Sequence, residues 1–247
     1  MIAKTVEDIT CMRKAGEIVK KTLQYAETLI KPNISTMYLD KLIKMYIIKS
    51  NATPSFLNYQ GFPASACISV NDVVEHGIPS DDIILKEGDI VSVDVGANYN
   101  GFHGDASRTF AVGEISPQKK RLIDITEQCF FKGIEALKVG ERLGKLSNAI
   151  QKHAEKNGYS VVRELVGHGI GKKLHDFPNV PNYGKPTDNI TVPENIFLAI
   201  EPMINMGKKE IYIENDGWTV RTKDGLSSAH YENTIFVTTA GVEILTL

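Results

Sequence analysis

A chain of 247 residues with 42% hydrophobic and 23% charged residues can bury a sizeable core, in one large domain or two small ones. A formal net charge of −2 argues against general nucleic-acid affinity, and three separated cysteines without a CxxC pair argue against a disulfide framework or a structural zinc site. No apolar run is long enough to cross a membrane and no apolar leader opens the chain, so a soluble, cytoplasmic protein is expected.

Thr5 with Glu7 and Asp8 marks a helix start. Ile9, Met12, Gly16, Val19, Leu23, Ala26 and Ile30 then recur at spacings of three and four, which predicts an amphipathic helix ending near Lys31-Pro32. Ser35 caps a second helix, with Leu39, Leu42, Ile43, Tyr46 and Ile47 on one face. Residues 67–75, 89–97 and 102–112 read as strands. Ser116-Pro117 opens a third helix running to about Leu137, and a fourth carries Leu146, Ala149, Ile150 and His153 and stops at Gly158. Strands are expected around 160–166, 196–201, 209–214, 217–222 and 230–238. Helix–helix–strands thus occurs twice, and a faint alignment sets Leu39 over Leu146 and Ile43 over Ile150. The expectation is one α+β domain over 1–247, with similar halves of about 1–115 and 116–247.

The stretch VSVDVGANYNGFHGDASRTF raises a chemical question. Side-chain alternation puts Ser92 and Asp94 on one face of a strand and Val91, Val93 and Val95 on the other. A Tyr99-Asn100 turn would set Asp94 directly opposite Asp105, whereas an Asn100-Gly101 turn would make them diagonal neighbours on one face. Either register brings two carboxylates together, which requires a shared proton or a cation. Downstream, His168 falls in a Gly-rich bend, Glu201 at a strand end and Glu232 inside an apolar strand. Four acids and an imidazole suit two divalent ions bridged by carboxylates, of the Mn, Fe, Co or Zn type.

Asp94, Asp105, His168, Glu201 and Glu232, in that order, match the five-ligand pattern of the methionine aminopeptidases. GFPASACISVNDVVEHGIP, DVGANYNGFHGDASRTF, GHGIGKKLH, AIEPM and YENTI all resemble that family, over nearly the whole chain. The resemblance implies the pita-bread fold, two related halves around a central antiparallel sheet, in a bacterial-style type I enzyme. The short segment between His168 and Glu201 leaves no room for the helical insertion of type II enzymes. It implies that Asp94 chelates one metal, Asp105 and Glu232 bridge two, and His168 and Glu201 complete the second site. Glu201 would also shuttle the proton of a bridging water, His175 would stabilise the tetrahedral intermediate, and His76 would contact the substrate backbone. Tyr59, Phe62, Cys67 and Trp218 would line the methionine pocket, and Asn71, Val73 and Ser228 would hold a monovalent cation. The implied activity is initiator methionine removal from nascent chains whose second residue is small, by a cytoplasmic monomer docking transiently on the ribosome. Leu174, Asn233 and Phe62 depart from residues frequent in the family, which bears on pocket shape and not on the chemistry. Two other readings are a proline-specific peptidase of the same fold and a binding relative without activity. The first typically carries an added N-terminal domain, and the second usually lacks some ligands.

Overall fold

The computed structural model of the chain describes all residues 1–247. Helix α1 (Val6–Leu29) begins with a reciprocal cap: Asp8 N–H donates to Thr5 Oγ1, and Asp8 Oδ2 accepts from Thr5 N–H, both at 3.1 Å. Such caps contribute about 1 kcal/mol each. Helix α2 (Thr36–Lys49) starts at Ser35, whose hydroxyl accepts from Tyr38 N–H. The first group of strands is β1 (Thr53–Pro54), β2 (Ala66–Val70), β3 (Val73–Glu75), β4 (Ile90–Tyr99) and β5 (Phe102–Ala111). Then come α3 (Pro117–Glu135), opened by Ser116 with proline in its first turn, and α4 (Gly144–Lys156). The remaining strands are β6 (Ser160–Val161), β7 (Gly167–Gly169), β8 (Asp176–Val180), β9 (Ile196–Ile200), β10 (Met203–Asn205), β11 (Ile211–Ile213), β12 (Val220–Thr222), β13 (Ser228–His230), β14 (Asn233–Thr238) and β15 (Gly241–Ile244).

Strand β4 is flanked by β1 and β2 and pairs with β5, all antiparallel. Helices α1 and α2 cover one face of this sheet, burying Val19, Leu23, Leu39, Ile43 and Ile47 against Val91, Val93 and Val95. A second sheet runs β15-β14-β9-β7-β8, and α3 and α4 pack Leu122, Phe130, Leu146 and Ile150 against Leu198 and Ile235. Burying a large apolar side chain contributes about 1.5–3 kcal/mol. The predicted partners Leu39 and Leu146, Ile43 and Ile150, are all fully buried in these two cores. A third cluster, with Met12, Phe102, Phe197 and Phe236, joins the sheets. Helix α1 presses on β5 at Gly104, where an added Cβ would lie 2.8 Å from the Ala15 carbonyl carbon.

Three predicted strands are interrupted. Residues 67–75 divide into β2 and β3 because Asn71 takes a left-handed φ of 53°. Of the run at 160–166 only Ser160–Val161 is strand, and the chain turns away after it: Val161 lies in the α3–α4 core, Val162 in a small cluster with Val74, Met203 and Val220. His168 lies in the short strand β7 rather than a bend. The strand expected at 230–238 breaks at Tyr231-Glu232, so Glu232 sits between β13 and β14 and not inside a strand.

Candidate metal centre

Two antiparallel strand pairs, the β4–β5 hairpin and the β9–β10 run against β13–β14, deliver the four acids. In the first, Asn100 and Gly101 both take left-handed φ, 50° and 82°, the two-residue turn whose twist suits antiparallel strands. The register pairs Asp94 with Ser107 and Gly96 with Asp105, so the aspartates are diagonal neighbours on the face turned away from the helices. Strand β2 places Cys67 beside Asp94. In the second, Ile200 pairs with Asn233 and Met203 with His230. The register is the same on both sides of the break, so Glu201 and Glu232 face each other across it.

The break has two local causes. Pro202 has no N–H to offer the ladder. On the other strand, Glu232 N–H donates to Ser107 O of β5 at 2.9 Å instead. The Arg108 guanidinium clamps the same turn, donating to the carbonyls of Ser107 and Glu232 and to Asn233 Oδ1, and stacking over the Tyr231 ring at 4.1 Å. Thr234 Oγ1 accepts from Asp105 N–H and donates to Asp105 O. The seam between the sheets is therefore where all four carboxylates meet.

His168 joins them from β7, next to Ala199 of β9. Its Nδ1 donates to Gly169 O at 2.9 Å, which fixes the tautomer with Nε2 unprotonated. That Nε2 lies 3.5 Å from Glu201 Oε1 and 3.9 Å from Asp105 Oδ2. Burial pushes the imidazole down to about 3, so it stays neutral and available as a ligand.

Asp94, Asp105, Glu201 and Glu232 are all buried. Burial pushes each carboxyl well above the usual range, and repulsion adds to it: Glu232 acts on Asp94 and Glu201, Asp94 on Asp105, and Asp105 on Glu232. Asp94 Oδ1, Asp105 Oδ1 and Glu232 Oε1 have no hydrogen-bond partner. No lysine or arginine lines the cavity they face. Unpaired buried acids on this scale are costly, and a cation is what they lack. Ligand atoms of Asp105, His168 and Glu232 lie within 4.8 Å of one another, as a common ion requires. The residues present therefore fit divalent metal.

The cavity has a volume of about 390 Å³. His76, His175, Tyr59, Phe62, Cys67 and Trp218 line it together with the five acid and imidazole groups. The rings interlock edge to face: Phe62 on Trp218 with centroids 5.2 Å apart, Tyr59 on His175 at 5.1 Å, and His175 on His168 at 4.3 Å. Burial pushes the Cys67 thiol up, so it is neutral and part of an apolar wall. His76 holds a left-handed φ of 55° at the end of β3, a costly conformation for a non-glycine residue at a functional surface.

Metallopeptidase family M24 matches residues 10–239. A methionine aminopeptidase of Clostridium perfringens is 52% identical over 247 residues, 100% of this chain and 99% of the relative. The crystal structure of methionine aminopeptidase from Rickettsia prowazekii superposes with a TM-score of 0.97 at 46% identity, covering 100% of both chains. The chain belongs to family M24, among its methionine aminopeptidases. It has the pita-bread fold and is a metal-dependent aminopeptidase. A prolidase from Pyrococcus furiosus shares the architecture less closely, with a TM-score of 0.81 at 25% identity, and this chain covers 65% of it.

Within this M24 frame the three departures from frequent family residues separate. Phe62 and Leu174 line the cavity and shape it. Asn233 does not: its amide oxygen accepts from Arg108 and from Thr246 Oγ1, behind the site. Asn71, Val73 and Ser228 also lie outside the cavity. The Asn71 side chain is engaged by Asp89, Ile90 N–H and Lys119 Nζ, and Ser228 Oγ donates to Ile204 O. Sequence reading missed Glu75 and His230. Glu75 lines the cavity, and His230 is buried with Nε2 unpartnered. Their residue types beside HGIP and YENTI were the available signal.

Proposed function

We propose that this enzyme removes the initiator methionine from nascent polypeptides when the second residue is small. The observation that supports this reading best is the meeting of buried, unpartnered carboxylate oxygens with an aromatic-walled slot in one cavity. Asp94, Asp105, His168, Glu201 and Glu232 would hold a pair of divalent ions between them, with Asp105 and Glu232 shared and Asp94 serving one ion, His168 and Glu201 the other. Co, Mn, Fe and Zn all suit this donor set. When bound, the ions supply Lewis acidity toward the scissile carbonyl and lower the pKa of water.

The side chains do the rest. Glu201, as a carboxylate, takes a proton from the attacking water and delivers it to the leaving amine. His175 is held against His168 and Tyr59 at the cavity mouth, where desolvation lowers its pKa and favours the neutral ring, so a ring N–H can donate to the developing oxyanion. His76 contacts the substrate main chain. Phe62, Tyr59, Cys67 and Trp218 accept the thioether side chain by dispersion and exclude water. The histidines flank the peptide just beyond the scissile bond, so a bulky second side chain pulls the carbonyl out of line. Asn71, Val73 and Ser228 would hold a monovalent cation beside the metal centre. The enzyme acts as a cytoplasmic monomer, meeting its substrates transiently at the ribosome.

Peptide hydrolysis tests the reading. Met-Ala peptides are expected to be cleaved about 10²-fold faster, in kcat/KM, than Met-Ile peptides. An X-Pro dipeptide is expected to be inert, and preferential X-Pro cleavage would replace this function with a proline-specific one. Comparable rates on Met-Ala and Met-Ile would overturn the crowding argument.

A further inference from the structure

We propose that Glu75, Glu201 and His230 form a third divalent-cation site beside the two-ion centre, with a donor set suited to a borderline transition ion such as Zn(II). The three residues come from strands distant in sequence. Glu75 ends β3 and His230 ends β13, and Ser228 N–H donates to Asn71 O at 2.9 Å, which ties the two strands side by side. Glu201 reaches them from the break before β10, where Met203 pairs with His230.

One ligand atom from each residue lies within 4.8 Å of the others. Donors bound to one ion at about 2.1 Å stand about 3.0 Å apart when adjacent and about 4.2 Å apart when opposite, so the spacing needs only a small contraction. The direct alternative, an ion pair or hydrogen bond among the three, is not formed. His230 Nε2 has no hydrogen-bond partner although the residue is 1% exposed, and its contact with Glu232 Oε2 is 3.9 Å. Glu75 is likewise buried, and its carboxylate approaches His76 Nε2 only to 3.7 Å. A buried imidazole nitrogen aimed among carboxylates and bonded to none of them has the geometry of a ligand awaiting its ion. One imidazole with two carboxylates is a Zn, Mn, Co or Fe(II) donor set. Glu201 would be shared with the neighbouring centre, as bridging carboxylates are, and the inference rests on the two-ion reading at that residue alone.

Equilibrium dialysis of the metal-stripped, full-length protein against Zn(II), with bound metal counted by mass spectrometry, tests this. Wild type is expected to take up one equivalent more than Glu75→Gln and one more than His230→Gln. Circular dichroism and Tm of the metal-free variants establish that they are folded. Equal uptake by all three proteins overturns the proposal, and so does loss of all metal from the variants. Anomalous diffraction from wild-type crystals grown with excess Zn(II) reads the site without any substitution. A peak about 2.0–2.2 Å from Glu75 and His230 supports it, and a map with zinc only at the neighbouring centre overturns it. Asp105→Asn keeps the two readings apart: unchanged uptake in that variant would sink the two-ion centre while leaving the difference between wild type and His230→Gln intact.

Discussion

The helix-backed core around Leu39, Ile43 and Ile47 and the seam around Asp94, Asp105 and Glu232 are buried to a similar degree, and they are built by opposite rules. In the first, apolar side chains from α1 and α2 meet the valines of β4, and burial is itself the driving force. In the second, on the other face of that same strand, burial opposes the charges placed there, and three carboxylate oxygens are left unbonded. One strand thus stabilises the fold through its odd-numbered valines and stores a functional strain through Asp94. The core should hold with or without metal, whereas the seam should become stable only when cations are present.

Substitutions can break this contrast, and the largest expected effect is kinetic. Glu201→Gln should keep the fold and lower kcat by about 10²–10⁴ or more, because it removes both a ligand charge and the proton carrier. Retention of more than about a tenth of wild-type kcat under saturating metal would remove Glu201 from that role. Leu39→Ala acts on the other region. It should cost about 2–5 kcal/mol in urea unfolding, equally with and without metal, because the cavity it leaves lies far from the ions. His175→Ala should lower kcat by about 10² while metal content stays at the wild-type level. A fall in bound metal would make His175 a ligand.

Asp94→Asn sharpens the comparison by reversing sign. It deletes a carboxyl that burial and Glu232 hold well above its usual range. Metal-free Tm should therefore rise, at about 2–4 °C for each kcal/mol in a chain of this size, while metal-loaded Tm should fall. A lower Tm in both states would mean that Asp94 is stabilising by itself. The smallest effect is on pH dependence. A carboxyl whose folded pKa is raised contributes stability that is complete below about pH 4 and is lost as pH rises through the folded value. His168 and His230, lowered to about 3 and about 4 by burial, work the other way: their contribution is complete above about pH 6.5 and is lost as pH falls through the folded values. Above about pH 6.5 the histidine contribution is constant, so whatever pH dependence the seam gives metal-free Tm there is a fall with rising pH, and saturating Mn(II) should flatten it. A metal-free Tm that climbs through that range would contradict the seam's electrostatics.

The helices were legible because their signals are local: Thr5, Ser35 and Ser116 cap the positions where they stand in sequence. The meeting of Asp94 and Asp105 was legible too, since either turn at 99–101 brings them together, but the register awaited the left-handed pair Asn100 and Gly101. The break at Glu232 was not legible. The apolar run on both sides of it reads as one strand, and the interruption depends on Arg108 and on Ser107 O, from a hairpin far away in the chain. Glu75 and His230 escaped for the same reason. Neither is unusual in its own strand, and only the alignment of β3 beside β13 brings them together with Glu201.

The central claim is that the seam's carboxylates are held by cations, and crystals grown with two equivalents of Mn(II) test it most directly. The account predicts two strong anomalous peaks, one beside Asp94, one beside His168 and Glu201, with Asp105 and Glu232 between them. A map without manganese in the cavity, or with it bound only elsewhere on the chain, would contradict the account.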